Sequence, residues 1–205
     1  NYTARITGEE CPAGTDCDFL LGEERIQLKF EDYSWDGSAA FVGKVDLFHD
    51  AIMNESGIEI REAYVDWATT FLTLRAGRQI ITWGVGDLLF VNGTFPKDWV
   101  SFFAGRPMQY LKVGSDALKI GLHPGFVTAE VVLTPVSQPD RYPTGERLIL
   151  DDPFPGMPRS VEVKDRSFEN MEIAAKLSRY ISNWEVAAYV SRGFYRTPAV
   201  QLDDP

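Results

Sequence analysis

Apolar side chains in this chain recur at every second position, and that period constrains the fold more than any other feature. Ile26, Leu28 and Phe30 alternate with Arg25, Gln27, Lys29 and Glu31, and Phe41, Gly43, Val45 and Leu47 alternate with Lys44 and Asp46. Further on, Leu118, Ile120 and Leu122 flank Lys119 and Gly121, while Val127, Ala129, Val131 and Leu133 flank Thr128 and Glu130. Met171, Ile173, Ala175 and Leu177 flank Glu172, Lys176 and Ser178; Trp184, Val186, Ala188 and Val190 flank Glu185, Tyr189 and Ser191. Alternation sustained this way marks strands with one apolar and one polar face. Two more segments are less regular. Residues 58–68 place Ala63, Val65 and Trp67 opposite Glu62, Tyr64 and Asp66. Residues 71–82 set Leu72, Leu74 and Ala76 against Thr73, Arg75, Gly77 and Gln79, with Arg78 on the apolar side. Either Arg78 lies beyond the apolar band or a bulge shifts the register. Helical spacing fits poorly throughout, so the fold class is all-β.

The connections sharpen this. Asp36-Gly37, Thr69-Thr70, His123-Pro124-Gly125 and Ser182-Asn183 are tight-turn signals, whereas the connections over 50–57, 83–116 and 135–168 read as longer. Of the twelve prolines, eight lie in the two longest loops. Loops of that length are uncommon in compact soluble domains. In a transmembrane barrel, short periplasmic turns on one rim and long extracellular loops on the other are the rule. Strand lengths match the roughly 9–11 residues that cross a bilayer when tilted. Phe71, Phe126, Tyr180 and Trp184 sit beside the short turns, where an aromatic girdle belongs. The expectation is an antiparallel transmembrane β-barrel, with about eight or nine strands present of a larger even-numbered ring. The chain reads as one barrel domain over 1–205, incomplete at one or both ends: Asn1 opens without Met and Asp203-Asp204-Pro205 stops in loop-like sequence.

Composition agrees once read in this light. Thirty acidic against twenty basic residues give a formal charge of −10, which argues against sequence-independent nucleic-acid binding. No apolar run is long enough for a membrane helix. The mean hydropathy of −0.17 suits a soluble chain, but membrane barrels pass the same test. Cys11 and Cys17 bracket a five-residue loop; they read as a small disulfide, implying an oxidising compartment, or else as two free thiols.

Residues 58–84 carry a more specific text. Ile60-Arg61-Glu62-Ala63-Tyr64-Val65-Asp66, Leu72-Thr73-Leu74-Arg75-Ala76-Gly77-Arg78-Gln79 and Trp83-Gly84 resemble a signature of proteobacterial outer-membrane porin-like barrels, a "REAY" strand followed by "LRLGRQ…WG". The family continues with "VND…P.D"; here Val91-Asn92-Gly93-Thr94-Phe95-Pro96-Lys97-Asp98 follows, with Gly93 where the family tends to an acidic residue. Leu133-Thr134-Pro135 and Ala188-Tyr189-Val190-Ser191-Arg192-Gly193-Phe194 are similar as well. The resemblance covers most of 23–198 in layout. It implies a Gram-negative outer-membrane location and a porin of unassigned substrate. Two departures stand out: the first strand is absent or reduced to Asn1–Ile6, and no strand ending in a terminal aromatic closes the chain.

The polar faces supply Arg25, Lys29, Lys44, Asp46, Glu62, Asp66, Arg75, Lys119, Glu130, Glu172, Lys176 and Glu185. These either line a wetted pore for small solutes or form ion pairs that hold the wall together, and both can hold at once. Arg75 and Glu62, on facing strands, are expected to pair. The loop 83–116 carries Trp83, Asp87, Phe90, Phe95, Trp99, Phe102, Phe103, Arg106, Met108 and Tyr110. So many aromatics need a surface to pack on. Either the loop folds inward as a constriction, or it packs on a neighbouring protein or other outer loops. The Pro-rich loop 135–168 offers Asp140, Glu146, Asp151, Asp152, Glu162 and Asp165, without EF-hand spacing, and reads as solvated rather than as a calcium site. Gly84-Val85-Gly86-Asp87 lacks the rest of a nucleotide fingerprint. No nucleophile triad stands out, so neither an enzyme nor a cofactor is expected. The function expected is a porin-like channel whose partners are outer-membrane lipid and small solutes. The alternatives are a barrel sheathing partner proteins, such as a multihaem cytochrome in an electron conduit, and a soluble β-sandwich binding module.

Overall fold

The computed structural model describes residues 2–4, 19–83, 93–143, 167 and 169–196. Nine strands form one antiparallel sheet in chain order: β1 (Tyr2–Ala4), β2 (Phe19–Tyr33), β3 (Ala39–Asp50), β4 (Glu55–Ala68), β5 (Leu72–Gln79), β6 (Ser115–Leu122), β7 (Thr128–Thr134), β8 (Glu172–Ile181) and β9 (Trp184–Arg192). β1 and β9 are its edges, so the sheet is open. The all-β expectation and the strand number hold, and β1 is the short stub anticipated at the N-terminal end. Among the described residues helix is confined to α1 (Trp99–Phe103) and a 3-10 turn at Met108–Tyr110. No helix among the described residues is long and apolar enough to cross a membrane. Cys11, Cys17, Asp87, Phe90 and most of the Pro-rich loop, with Glu146, Asp151, Asp152, Glu162 and Asp165, lie outside the described residues.

Residues directly opposite in an antiparallel ladder share a face. On one face, Asp66, Arg75, Lys119, Val132, Ala174 and Ser191 follow one another across β4 to β9. On the other run Trp67, Leu74, Ile120, Val131, Ala175 and Val190. The exposure of the two faces is the reverse of a soluble sheet. Ile26, Phe30, Ile58 and Val190 are each 63–72% exposed, whereas Glu23, Asp46, Arg61, Gln79 and Glu172 are at most 5% exposed.

Three details depart from the sequence reading. The connection between β3 and β4 is four residues, 51–54, rather than a longer loop, so short and long connections do not alternate there. Asp50 holds it closed, its carboxylate accepting from the amides of Ile52 (3.1 Å) and Met53 (3.4 Å). The irregularity in the middle strands lies not at Arg78 but opposite Lys44 and Val45, where Lys44 pairs with Glu62 and Val45 with Ile60, leaving Arg61 as the extra residue. Arg78 keeps register with Ala63 and Asp116 on the apolar face, and its guanidinium makes a bidentate pair with Asp116 (2.9 and 2.9 Å). Tyr180 does not belong with the outward aromatics: it is the register partner of Glu185, to which Lys176 donates, so it faces the polar side. Trp67, Phe71, Phe126 and Trp184 are exposed near the short turns.

Gly77 has φ +124°, and a Cβ there would lie 2.3 Å from the Ala63 carbonyl and 2.9 Å from Tyr64 Cα. Tyr64 is its cross-strand partner, and the Tyr64 ring lies against the Arg75 guanidinium, 4.1 Å from its centroid. Gly77→Ala should therefore lower stability by on the order of 2 kcal/mol, read as an earlier urea-unfolding midpoint. In the β2–β3 turn, Asp36 accepts from Ser34 Oγ (2.7 Å), Ser38 N (3.1 Å) and Ser38 Oγ (2.9 Å), and chiefly the Ser34 hydroxyl holds its carboxyl below the usual range. A depressed carboxyl stabilises above its ordinary pKa, and that contribution disappears as pH falls through the lowered value. Unfolding midpoints of the wild type and Asp36→Asn should thus differ at neutral pH and converge in acid.

Candidate functional site

Residues 93–113 of the loop between β5 and β6 lie against the polar face, and the residues that seat them form a dense group of charges. Arg25 is the hub. Its Nε and Nη2 donate to Glu23 (2.9 and 3.1 Å), and its Nη1 donates to Asp46 (2.8 Å) and Glu59 (3.0 Å). Gln27 adds a bond to the second Asp46 oxygen at 2.8 Å. The loop joins through Arg106, which donates to Glu23 at 2.5 Å, and the next loop joins through Arg141, which donates to Glu59 at 2.6 Å. Two of these carboxylates, Glu23 and Asp46, have no exposed surface. An isolated buried carboxylate would cost several kcal/mol, and here each has cationic or amide donors on its oxygens.

Tyr110 completes the seat. The Arg25 guanidinium lies 4.7 Å from its ring centroid and the Arg61 guanidinium 5.0 Å, while Arg25 is also 5.0 Å from the Phe48 ring. Burial pushes the Tyr110 phenol up, outweighing the two cations that pull it down. Desolvated cation–π contacts of this kind are worth about 2 kcal/mol each. Arg61 in addition donates from Nη2 to the carbonyls of Gln109 (2.8 Å) and Lys112 (3.1 Å), fixing the backbone on either side of the tyrosine. Arg61 alternates with the outward Ile58 and Ile60, and the bulge lets the next residue, Glu62, face inward beside it, so two charged side chains stand consecutively on the polar side.

The loop has its own framework. Asp98 caps α1 by accepting from Ser101 N at 2.7 Å, and Gly105 (φ +70°) and Pro107 end the helix after five residues. Residues 96–98 bond to 111–113 through Asp98 N to Leu111 O (2.9 Å) and Val113 N to Pro96 O (3.1 Å). Asp140 holds the second loop to the first, accepting from Lys97 N (2.9 Å) and Trp99 Nε1 (2.8 Å). A second anchor lies across the face. Phe95 meets Trp83 edge-on at 5.0 Å, in an apolar cluster with Ile81, Ala117, Val132 and Ala174. There Arg196 donates to Thr94 O (3.1 Å), Gln138 O (2.6 Å) and Glu172 (2.6 Å). The loop therefore spans the polar face from β8 to β2.

All twelve charged residues singled out from the alternation lie on this polar face, most of them paired. Lys29 meets Glu31 (2.6 Å), Lys44 meets Glu62 (2.7 Å), Lys119 meets Glu130 (2.9 Å) and Lys176 meets Glu185 (3.0 Å). Arg75 pairs with Asp66 (2.6 and 2.7 Å), its direct register partner, and not with Glu62. Of the loop aromatics, Trp83, Phe95 and Tyr110 are buried, whereas Phe102 and Phe103 stay exposed, as does Met108. Sequence reasoning missed Glu23, Glu59, Arg61 and Arg141. For Arg61 a signal existed: the apolar phase shifts from even positions (Ile58, Ile60) to odd ones (Ala63, Val65) across that residue. Among the described residues no group of His, Cys, Asp and Glu is arranged to hold a metal ion.

No family model matches the chain, and neither a curated protein nor a solved structure matches it.

Replacing Arg61 by Met should release the loop from its seat. Two charge-assisted hydrogen bonds are lost, each worth about 1.5–3 kcal/mol. Limited proteolysis should then cut within 93–113 on the order of a hundredfold faster than in the wild type, with the sheet left resistant.

Proposed function

We propose that the chain forms part of the wall of an outer-membrane β-barrel, and that the barrel is a channel for small hydrophilic solutes narrowed by the loop 93–113. The inverted exposure of the sheet carries this reading. About a dozen large apolar side chains on one face are each roughly half exposed; leaving them in water forgoes roughly 10–20 kcal/mol, as much as the whole net stability of a domain. A lipid surround removes that conflict. The apolar stretch of β4 from Ile58 to Trp67 spans about 30 Å along the strand, or roughly 23 Å at a tilt of about 40°, against an apolar band of about 25 Å. The resemblance of the Arg61–Asp66 and Leu72–Gln79 text to porin-like barrels points the same way.

Two features bear on the alternatives. A soluble sandwich buries its apolar faces against a second sheet, and here the apolar face is the exposed one. A sheath for a partner protein needs a clear interior, whereas the chain's own loop, with a helix about 10 Å across, occupies the polar face. An eight-stranded barrel is filled by side chains alone, so a ring that encloses this loop has more strands than that.

The test is reconstitution into planar bilayers and into vesicles of brominated lipid. Insertion should quench the outward Trp67 and Trp184, and single-channel steps should appear; removing 96–111 should raise their conductance. A protein that remains monodisperse in buffer without detergent and shows no quenching overturns the reading, and an inserted protein without conductance overturns the channel.

A further inference from the structure

Resting on the channel reading, we propose that the polar face holds a binding site for a neutral ring sugar, which names small carbohydrates as the hydrophilic solutes of that reading. Where the second anchor of the loop meets β7, β8 and β9 there is a cavity of about 490 Å³, within the range of small-ligand pockets. Three hydroxyl residues line it: Thr94 from the loop, Thr134 from β7 and Ser191 from β9. Three aromatic residues line it as well, Phe95 from the loop and Phe194 and Tyr195 from the segment after β9. The Thr94 hydroxyl is buried and has no hydrogen-bond partner among the described residues, so hydrogen bonding at this wall is unfinished. Phe194 and Tyr195 are 38% and 97% exposed, so their rings are open to a solute.

The charges at this cavity balance. Glu172 accepts from Arg196 (2.6 Å), Ser137 Oγ (3.1 Å) and Phe194 N (3.0 Å), and Arg196 directs further donors to the carbonyls of Thr94 and Gln138. Gly193 makes room for the carboxylate, since a Cβ there would lie 2.8 Å from Glu172 Oε1. Arg192 is the register partner of Ile173, which puts it on the apolar side of β9. A charged solute would therefore shed its water without meeting an opposite net charge. An apolar solute would cover the hydroxyls without answering them. A ring sugar meets both conditions. Its hydroxyls donate to and accept from Thr134 and Ser191, while its C–H bonds lie on the electron-rich faces of the aromatic rings. The aromatic surface also continues along the wall: Phe95 meets Trp83 at 5.0 Å, and Trp83 meets Tyr189 at 6.1 Å. Tyr189 is two residues from Ser191 on the same face of β9, about 7 Å toward the short turns. A sugar leaving the cavity in that direction has a next ring to lie on.

The experiment is saturation-transfer difference NMR on the detergent-solubilised chain, with D-glucose and, separately, with sorbitol, its open-chain polyol. Glucose should bind with a dissociation constant on the order of millimolar, and sorbitol, which lacks a ring face, at least about threefold more weakly. The double variant Phe194→Ala, Tyr195→Ala keeps the Phe194 amide that Glu172 uses and should weaken glucose binding on the order of tenfold. Thr134→Val with Ser191→Ala removes two hydroxyls and should act by a similar factor. No glucose binding, equal binding of glucose and sorbitol, or glucose binding that neither double variant weakens overturns the site. Channel conductance in planar bilayers is read separately: conductance without glucose binding leaves the channel and removes the sugar site. Glucose binding by a protein that inserts and conducts nothing supports the site and defeats the channel reading.

Discussion

Glu23 and Asp46 have no exposed surface, and Arg25, which lies between them and donates to both, makes their charges tolerable there, with Arg106 and Gln27 as further donors. Much of the architecture follows from that requirement. Arg25 needs Phe48 and Tyr110 to cover its guanidinium faces, and Tyr110 needs Arg61 to hold its backbone. Arg61 stands opposite the outward Ile58 and Ile60, and the bulge in β4 brings Glu62 to the polar side next to it. A sheet that buries its polar face must satisfy every charge on it, and long loops supply the cations that the strands lack. Arg106 and Arg141 do this for Glu23 and Glu59, and Arg196 does it for Glu172.

The apolar face is subject to the opposite condition. It lacks a protein partner among the described residues, and its residues are neither capped by charge nor folded away. Charged residues interrupt it: Arg78 and Asp116, near the ends of β5 and β6, pair with one another, and Glu24, Asp32, Arg179 and Arg192 stand on the same side of β2, β8 and β9. A channel reading joins the two conditions: the surroundings take the apolar face, and solute and loop share the polar one. On that reading the loop narrows the path without filling it, since cavities lined by Lys44, Glu62 and Gln109 and by Asp66, Arg75 and Lys119 remain on the polar face.

How much was legible in the sequence depended on range. Strand positions and the sidedness of Arg25, Lys44, Asp66 or Lys176 follow from a period of two, a local property of the backbone. The short β3–β4 connection was missed because Glu55, Ser56 and Gly57 carry no apolar alternation, although they pair with Phe48, His49 and Asp50 in the ladder. The pairing of Arg75 with Asp66 rather than Glu62 was decided by register, which a single strand does not encode.

What the sequence by itself determined is the pattern: which residues alternate, where the tight turns fall, and that one face of every strand is apolar. These are consequences of bond geometry and turn chemistry over a few residues. Only the tertiary structure decided that residues 93–113 lie on the polar face, that Tyr110 sits between two arginines, and that Glu23 and Asp46 are fully buried. The reason is separation along the chain. Arg106 meets Glu23 across 83 positions and Arg141 meets Glu59 across 82, and no local rule relates residues so far apart until the sheet brings them together.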